Sequence, residues 1–98
     1  MTETTITQAA DNIFLDLGFS APEADNLLIR AKLMLALQTH IRQQNWTPSQ
    51  AAHQLNQSSD QITALVQGKI GQFSVDTLIA LLNQVGMSVQ VEVLPKSA

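Results

Sequence analysis

Helix-start chemistry recurs four times along this chain and leaves little room for anything but a helical fold. A Ser or Thr oxygen just before a helix accepts from the backbone N–H three residues on, and a Glu or Gln there can reach back to the cap's own N–H. Ser20-Ala21-Pro22-Glu23, Thr47-Pro48-Ser49-Gln50 and Ser58-Ser59-Asp60-Gln61 have that form, and Phe73-Ser74-Val75-Asp76 opens a fourth helix. Pro48 suits the first helical position, where no N–H is needed. The stops are as plain. Asn56 tolerates the left-handed conformation, and Gly68 and Gly86 close the helices that precede them. Ahead of Ser20, residues 11–17 predict a short helix with Ile13, Phe14 and Leu17 on one face and Gly18 past its end. Residues 1–10 show no period and read as a tail.

The segment opened by Ser20 meets no breaker before Gln44, so it predicts a helix about 34 Å long. Phe19 and Ala24 can pack across its start as a staple. Leu27, Leu28, Ile29, Leu33, Met34, Leu35 and Leu37 occupy more than one of its faces, interrupted by Arg30 and Lys32. A helix apolar on several sides has to be covered on several sides, and a chain of 98 residues has little material for that. Leu33 and Leu37 are therefore expected at a subunit interface, with a wholly intramolecular core helix as the alternative. From Met87 to Leu94 the period changes from 3.6 to 2. Met87, Val89, Val91 and Val93 point one way and Ser88, Gln90 and Glu92 the other, which predicts a half-buried strand ended by Pro95. A lone strand cannot satisfy its backbone groups. Its partner is either the N-terminal segment or, preferred here, the same strand of a second copy, because closed two-fold dimers are the commonest oligomers. Val89, Val91 and Val93 then join Leu33 and Leu37 in a dimer interface.

Charge narrows the function. Five Lys+Arg against eight Asp+Glu give a net charge of −3, which excludes a broadly basic nucleic-acid coat or a polybasic membrane anchor. A small local DNA contact remains open. Charged residues make up only 13% of the chain, so Gln, Asn, Ser and Thr must carry much of the surface. There is no Cys, hence no disulfide framework and no thiolate metal site. No stretch approaches the length of a membrane span, and the polar start through Glu3 does not read as a signal peptide. A cytoplasmic protein of one domain over residues 11–98 is expected.

The informative stretch is 47–69. Ala51, Ala52 and Leu55 form the inner face of its first helix; Ile62, Leu65 and Val66 form that of its second. Two adjacent alanines allow the axes to approach closely at a steep crossing, as in a helix-turn-helix whose second helix enters the DNA major groove. The outward face of the second helix is then Ser59, Asp60, Thr63, Ala64 and Gln67, all small or polar.

The run TPSQAAHQLNQSSDQITALVQGK resembles the Xre/Cro family through Thr47, Ala52, Leu55, Ser58, Ile62, Leu65 and Gly68. The flanking sequences, over about residues 12–94, resemble small Xre-type regulators that act as antitoxins of HigA type. The resemblance implies a mainly α, lambda-repressor-like fold of five helices with one C-terminal strand paired across a dimer. It implies a bacterial repressor that binds its own operator as a homodimer and pairs with a RelE-like ribonuclease toxin. Three positions depart from the family pattern. Pro48 stands where a Gln commonly touches phosphate, Asn56 replaces the turn glycine, and Gln57 replaces an apolar turn residue.

Thr47, Ser49 and Gln50 are candidates for phosphate contact, helped by the N–H groups of two helix starts. Ser59, Asp60, Gln61, Thr63 and Ala64 are candidates for base edges. Asp60 can accept from a cytosine amino group, and Thr63 and Ala64 can meet a thymine methyl. Asp60 and Gln61 also have purely structural roles open to them, at the helix dipole and in the cap. Gln67 and Lys69 are expected at the DNA backbone. Lys69 is the one Lys or Arg in the unit, so affinity per monomer should be low and weakly dependent on salt. His40 and His53 stand apart from any Cys or carboxylate cluster, so no metal and no cofactor are expected. Trp46 should pack against Ala51. No nucleophile elbow, phosphate loop or paired carboxylates point to an enzyme. The rival reading is a protein-binding antitoxin or adaptor, its acidic balance suited to a basic ribonuclease and its helix-turn-helix merely structural.

Overall fold

The computed structural model describes residues 12–95; the expected tail over 1–10 lies outside the described residues. Five helices follow in order: α1 (Ile13–Asp16), α2 (Ala21–Gln43), α3 (Pro48–Leu55), α4 (Ser59–Val66) and α5 (Val75–Gln84). A 3-10 turn at Ile70–Gln72 joins α4 to α5.

The starts follow the local chemistry of the sequence. At α2, the Ser20 hydroxyl accepts from the Glu23 N–H at 3.4 Å while Ser20 N–H donates to the Glu23 carboxylate at 3.3 Å. At α3 the same exchange between Thr47 and Gln50 is tighter, at 3.1 and 2.8 Å. Ser74 caps α5 by accepting from Thr77 N–H at 3.1 Å. The short α1 is held from outside. Asn12, almost fully buried, accepts from Phe14 N–H at 3.0 Å and donates its amide to Asp25 of α2 at 3.4 Å. The Phe14 and Phe19 rings then meet edge to face across the α1–α2 corner, 6.2 Å apart. Ile13 and Leu17, expected beside Phe14 on a packed face, stay exposed.

α2 is the spine. α5 packs along it most extensively, α1 lies against it, and the α3–α4 pair is held at its side through α4 and the 3-10 turn. One core serves all of these. It takes Met34, Leu37 and Ile41 from α2, Ala51 and Leu55 from α3, Ile62, Ala64 and Leu65 from α4, and Phe73, Leu78, Leu81 and Leu82 from the last third of the chain.

Two expectations about α2 and the C-terminus change here. Leu37 is fully buried within the single chain, so it is a core residue and not the interface contact expected of it. Met34, Leu37 and Ile41 recur at i, i+3 and i+7, and that spacing turns them together onto the core. Leu33 is half-buried against the same cluster. What α2 leaves outside is Ile29 and, most of all, Leu35, which is 56% exposed. No strand occurs among the described residues, and residues 87–95 take no regular structure. Val89 rests against the core, but Val91 and Val93 stand in solvent, the latter 88% exposed. The alternation is present in the sequence, yet an isolated strand has no acceptors or donors to pair with.

Candidate nucleic-acid interface

α3 and α4 meet around a turn at residues 56–58. Asn56 takes the left-handed conformation there, at φ 54° and ψ 47°. That conformation costs an L-residue least when its side chain is short and polar. Gln57 remakes the turn contact that an apolar residue would have provided. Its side-chain amide donates to the Leu55 and Asn56 carbonyls at 3.3 and 3.0 Å, and its N–H donates to the Ala52 carbonyl at 2.9 Å. Ala51 and Leu55 face Ile62 and Leu65 in the buried seam, with Ala52 half-buried beside them.

α4 is rotated about its axis relative to the expectation. Ala64, expected on the outer ridge, is only 5% exposed and belongs to the core; Val66, expected inside, is 54% exposed. Ile62, Ala64 and Leu65 thus define the buried arc. The small Ala64 takes the buried position, and the larger Val66 is turned out. The outer ridge is Ser59, Asp60, Thr63, Val66 and Gln67, all exposed. Val66 is the residue that the sequence reading missed. The available signal was that only three positions of an eight-residue helix fit one buried arc, and Ala, Leu, Ile and Val compete for them.

The polar groups of the ridge differ in how free they are. Thr63 donates its hydroxyl proton to the Ser59 carbonyl at 3.0 Å. It can therefore offer a partner its methyl group and its oxygen lone pairs. Ser58 accepts from Gln61 N–H at 3.1 Å, but Gln61 does not complete the expected box. Its amide side chain is exposed and unengaged among the described residues, at the first turn of α4. At α3, by contrast, the Gln50 carbonyl oxygen is held by Thr47, which leaves the Gln50 NH2 group and the Thr47 hydroxyl proton to donate outward. Ser49 and Ser59 are exposed beside these starts, and Asp60, Gln67 and Lys69 are exposed along the far side.

A family model described as a helix-turn-helix domain matches residues 13–94. The chain belongs to that family. The match takes in all five helices, with α3 and α4 as the paired unit. Helix-turn-helix proteins lay the second helix of the pair in the major groove, so membership supports a sequence-specific DNA-binding regulator. No curated protein matches the chain.

In this helix-turn-helix the groove-facing candidate is α4, whose eight residues span about 12 Å. Its electrostatics are nearly neutral. Asp60 stands in the first turn, where the helix dipole favours an anion, and Lys69 lies just beyond the last turn. The other nearby cations belong to α2. Arg30 is engaged with the 3-10 turn, donating to the Ile70 carbonyl at 2.9 Å. Arg42 is exposed and, among the described residues, bonds to Thr39 at 3.4 Å. Trp46 packs on the core edge-on to His40, with ring centres 5.4 Å apart, and borders one cleft together with Ala51 and Val66. His40 is thereby a packing residue, while His53 is exposed. Among the described residues no group of His, Asp or Glu is arranged to hold a metal ion, and no helix is long and apolar enough to cross a membrane.

Proposed function

We propose that the protein is a dimeric cytoplasmic repressor, without catalytic activity, that reads operator DNA through α4. The observation that carries this reading is the exposed ridge of Ser59, Asp60, Thr63, Val66 and Gln67, with Gln61 free at its tip, inside a matched helix-turn-helix. Thr47, Ser49, Gln50 and Lys69 are the phosphate contacts in this scheme. Gln61 and Asp60 meet base edges at the N-terminal turn, and Thr63 and Val66 give apolar contact to thymine methyls. Two copies are joined through the C-terminal segment, with Val91 and Val93 covered by the same segment of the partner and Leu33 and Leu35 beside them. Exposure of Val91 and Val93 in the single chain supports that pairing. Two half-sites then lie about one DNA turn apart.

The resemblance to HigA-type antitoxins extends the proposal to a RelE-like toxin as second partner. The net charge of −3 favours a basic protein partner, and it is also the observation behind the rival reading of a protein-binding antitoxin with little DNA contact. Selection of bound duplexes from a randomised library, followed by sedimentation of the complex, tests the proposal. The expected outcome is a palindromic sequence bound by two copies. A chain that enriches no sequence at low salt, yet binds a RelE-like protein, supports the rival.

A further inference from the structure

The C-terminal end of α4 is held by a side chain from α2. The Gln38 amide donates to the Leu65 carbonyl at 2.8 Å and to the Val66 carbonyl at 3.3 Å. Carbonyls in the last turn of a helix lack intrahelical donors and are met by water, by the following loop or by a side chain. Here the Leu65 carbonyl also receives the N–H of Gly68. The Val66 carbonyl has Gln38 as its donor, with no loop N–H on it. Eight residues earlier on α2, Arg30 donates to the Ile70 carbonyl at 2.9 Å and to the Phe73 carbonyl at 3.5 Å, and its Nε is braced by Asn26 at 2.7 Å. The spine thus grips the end of α4 and the turn after it by directional bonds. The start of α4 is fixed separately, by the Ser58 cap and by packing on α3.

Apolar packing decides which side of α4 is buried and leaves a small rotation about the helix axis to be settled by other contacts. Hydrogen bonds to carbonyls at one end resist it strongly, because they weaken steeply with misalignment. Val66, whose carbonyl Gln38 holds, is itself on the outer ridge. We infer that Gln38 is a positioning residue for base reading: without touching DNA it sets the rotation of α4 that presents Thr63 and Val66. The inference rests on the DNA-binding reading above. It separates two parts of affinity. Of the phosphate contacts, Thr47, Ser49 and Gln50 stand at the start of α3, outside α4, and the long Lys69 side chain can follow a small rotation, whereas base-edge contacts from α4 depend on fixed geometry.

The test uses the full chain and two duplexes: one selected by the wild type from a randomised library, and one of scrambled sequence and equal composition. Gln38→Met keeps the length of the side chain and removes the donor. The expected result is a loss of about tenfold in the ratio of selected to scrambled affinity, with the affinity for scrambled duplex nearly unchanged and the helical signal intact. Gln38→Asn keeps the amide but shortens its reach, and gives a loss in the same direction; it serves alone if Gln38→Met does not fold. An unchanged ratio in a folded variant overturns the inference, and so does an equal fall on both duplexes, which marks a purely structural role. A wild type that selects no duplex overturns the DNA-binding reading itself, and this inference with it.

Discussion

α3 and α4 are eight-residue helices that begin on the same kind of hydroxyl cap, yet they settle their polar groups in opposite ways. α3 closes its box, with Gln50 held back against Thr47. α4 makes only half of the exchange and leaves Gln61 exposed. α3 ends on a left-handed Asn56 stabilised by Gln57, while α4 ends under the amide of Gln38 from another helix. α3 buries Ala51 and Leu55, and α4 buries Ile62, Ala64 and Leu65. Both close their last turns with N–H groups of the following residues, but α4 keeps the Gln61 side chain in reserve and takes added support from Gln38. In a two-helix reading unit that division is physically sensible. One helix must be a fixed platform, and the other must offer groups that can still bond to a partner.

The largest effects test whether the two helices really share one seam. Leu55→Ala in α3 and Leu65→Ala in α4 each remove a fully buried side chain, and each is expected to cost about 2–5 kcal/mol. Urea unfolding followed by circular dichroism measures both. A near-silent Leu65→Ala breaks the comparison, because α4 would then be packed more loosely than α3.

Next comes the rotation of α4. Ala64→Leu overfills the core and is expected to cost about 1–3 kcal/mol, whereas Val66→Ala, on the exposed side, stays within about 0.5 kcal/mol of wild type. The reverse order in thermal midpoints contradicts the assigned faces.

The caps sharpen the comparison further. Thr47→Ala and Ser58→Ala should each cost about 1 kcal/mol, or roughly 4–8 °C in midpoint for a domain of this size. Their partners should then part company. Gln50→Ala lowers stability by a few tenths of a kcal/mol, since its carbonyl oxygen satisfies a helix-start N–H. Gln61→Ala leaves the midpoint alone and weakens binding to a selected duplex. Equal melting penalties for the two glutamines show that Gln61 caps after all. The smallest effect is in salt. With one Lys69 per copy in the unit, the slope of log affinity against log salt for a dimer should be about −2, and a slope several times steeper points to phosphate contacts from α2.

What the sequence made legible was the chemistry settled between near neighbours. Ser20, Thr47, Ser58 and Ser74 cap their helices as the sequence predicts, and Asn56 and Gly68 stop theirs, because such bonds span only a few residues. The rotation of α4 was not legible. Ala64 and Val66 trade places because the approach of α2 and the other helices decides which side is crowded, and spacing alone carries no such information. Leu37 was expected at a subunit interface for the same reason: Leu35 and Leu37 both sit on an apolar helix, and only the position of the neighbouring helices decides which is covered. The alternation at 87–94 was legible as a pattern, but a strand is a property of two segments and its pairing was never contained in one. Within the candidate site, Ser59, Asp60, Thr63 and Gln67 were found as the exposed face, and Val66 was missed in favour of Ala64.

The central claim is that the outer face of α4 meets base edges. Thr63→Glu tests it most directly, since Thr63 is exposed, bonds only to its own helix, and lies mid-ridge. Measured by fluorescence anisotropy on a duplex selected by the wild type, the variant should keep its melting midpoint within about 0.5 kcal/mol of stability and lose specific binding altogether. A folded Thr63→Glu that binds the selected duplex as tightly as wild type contradicts the account.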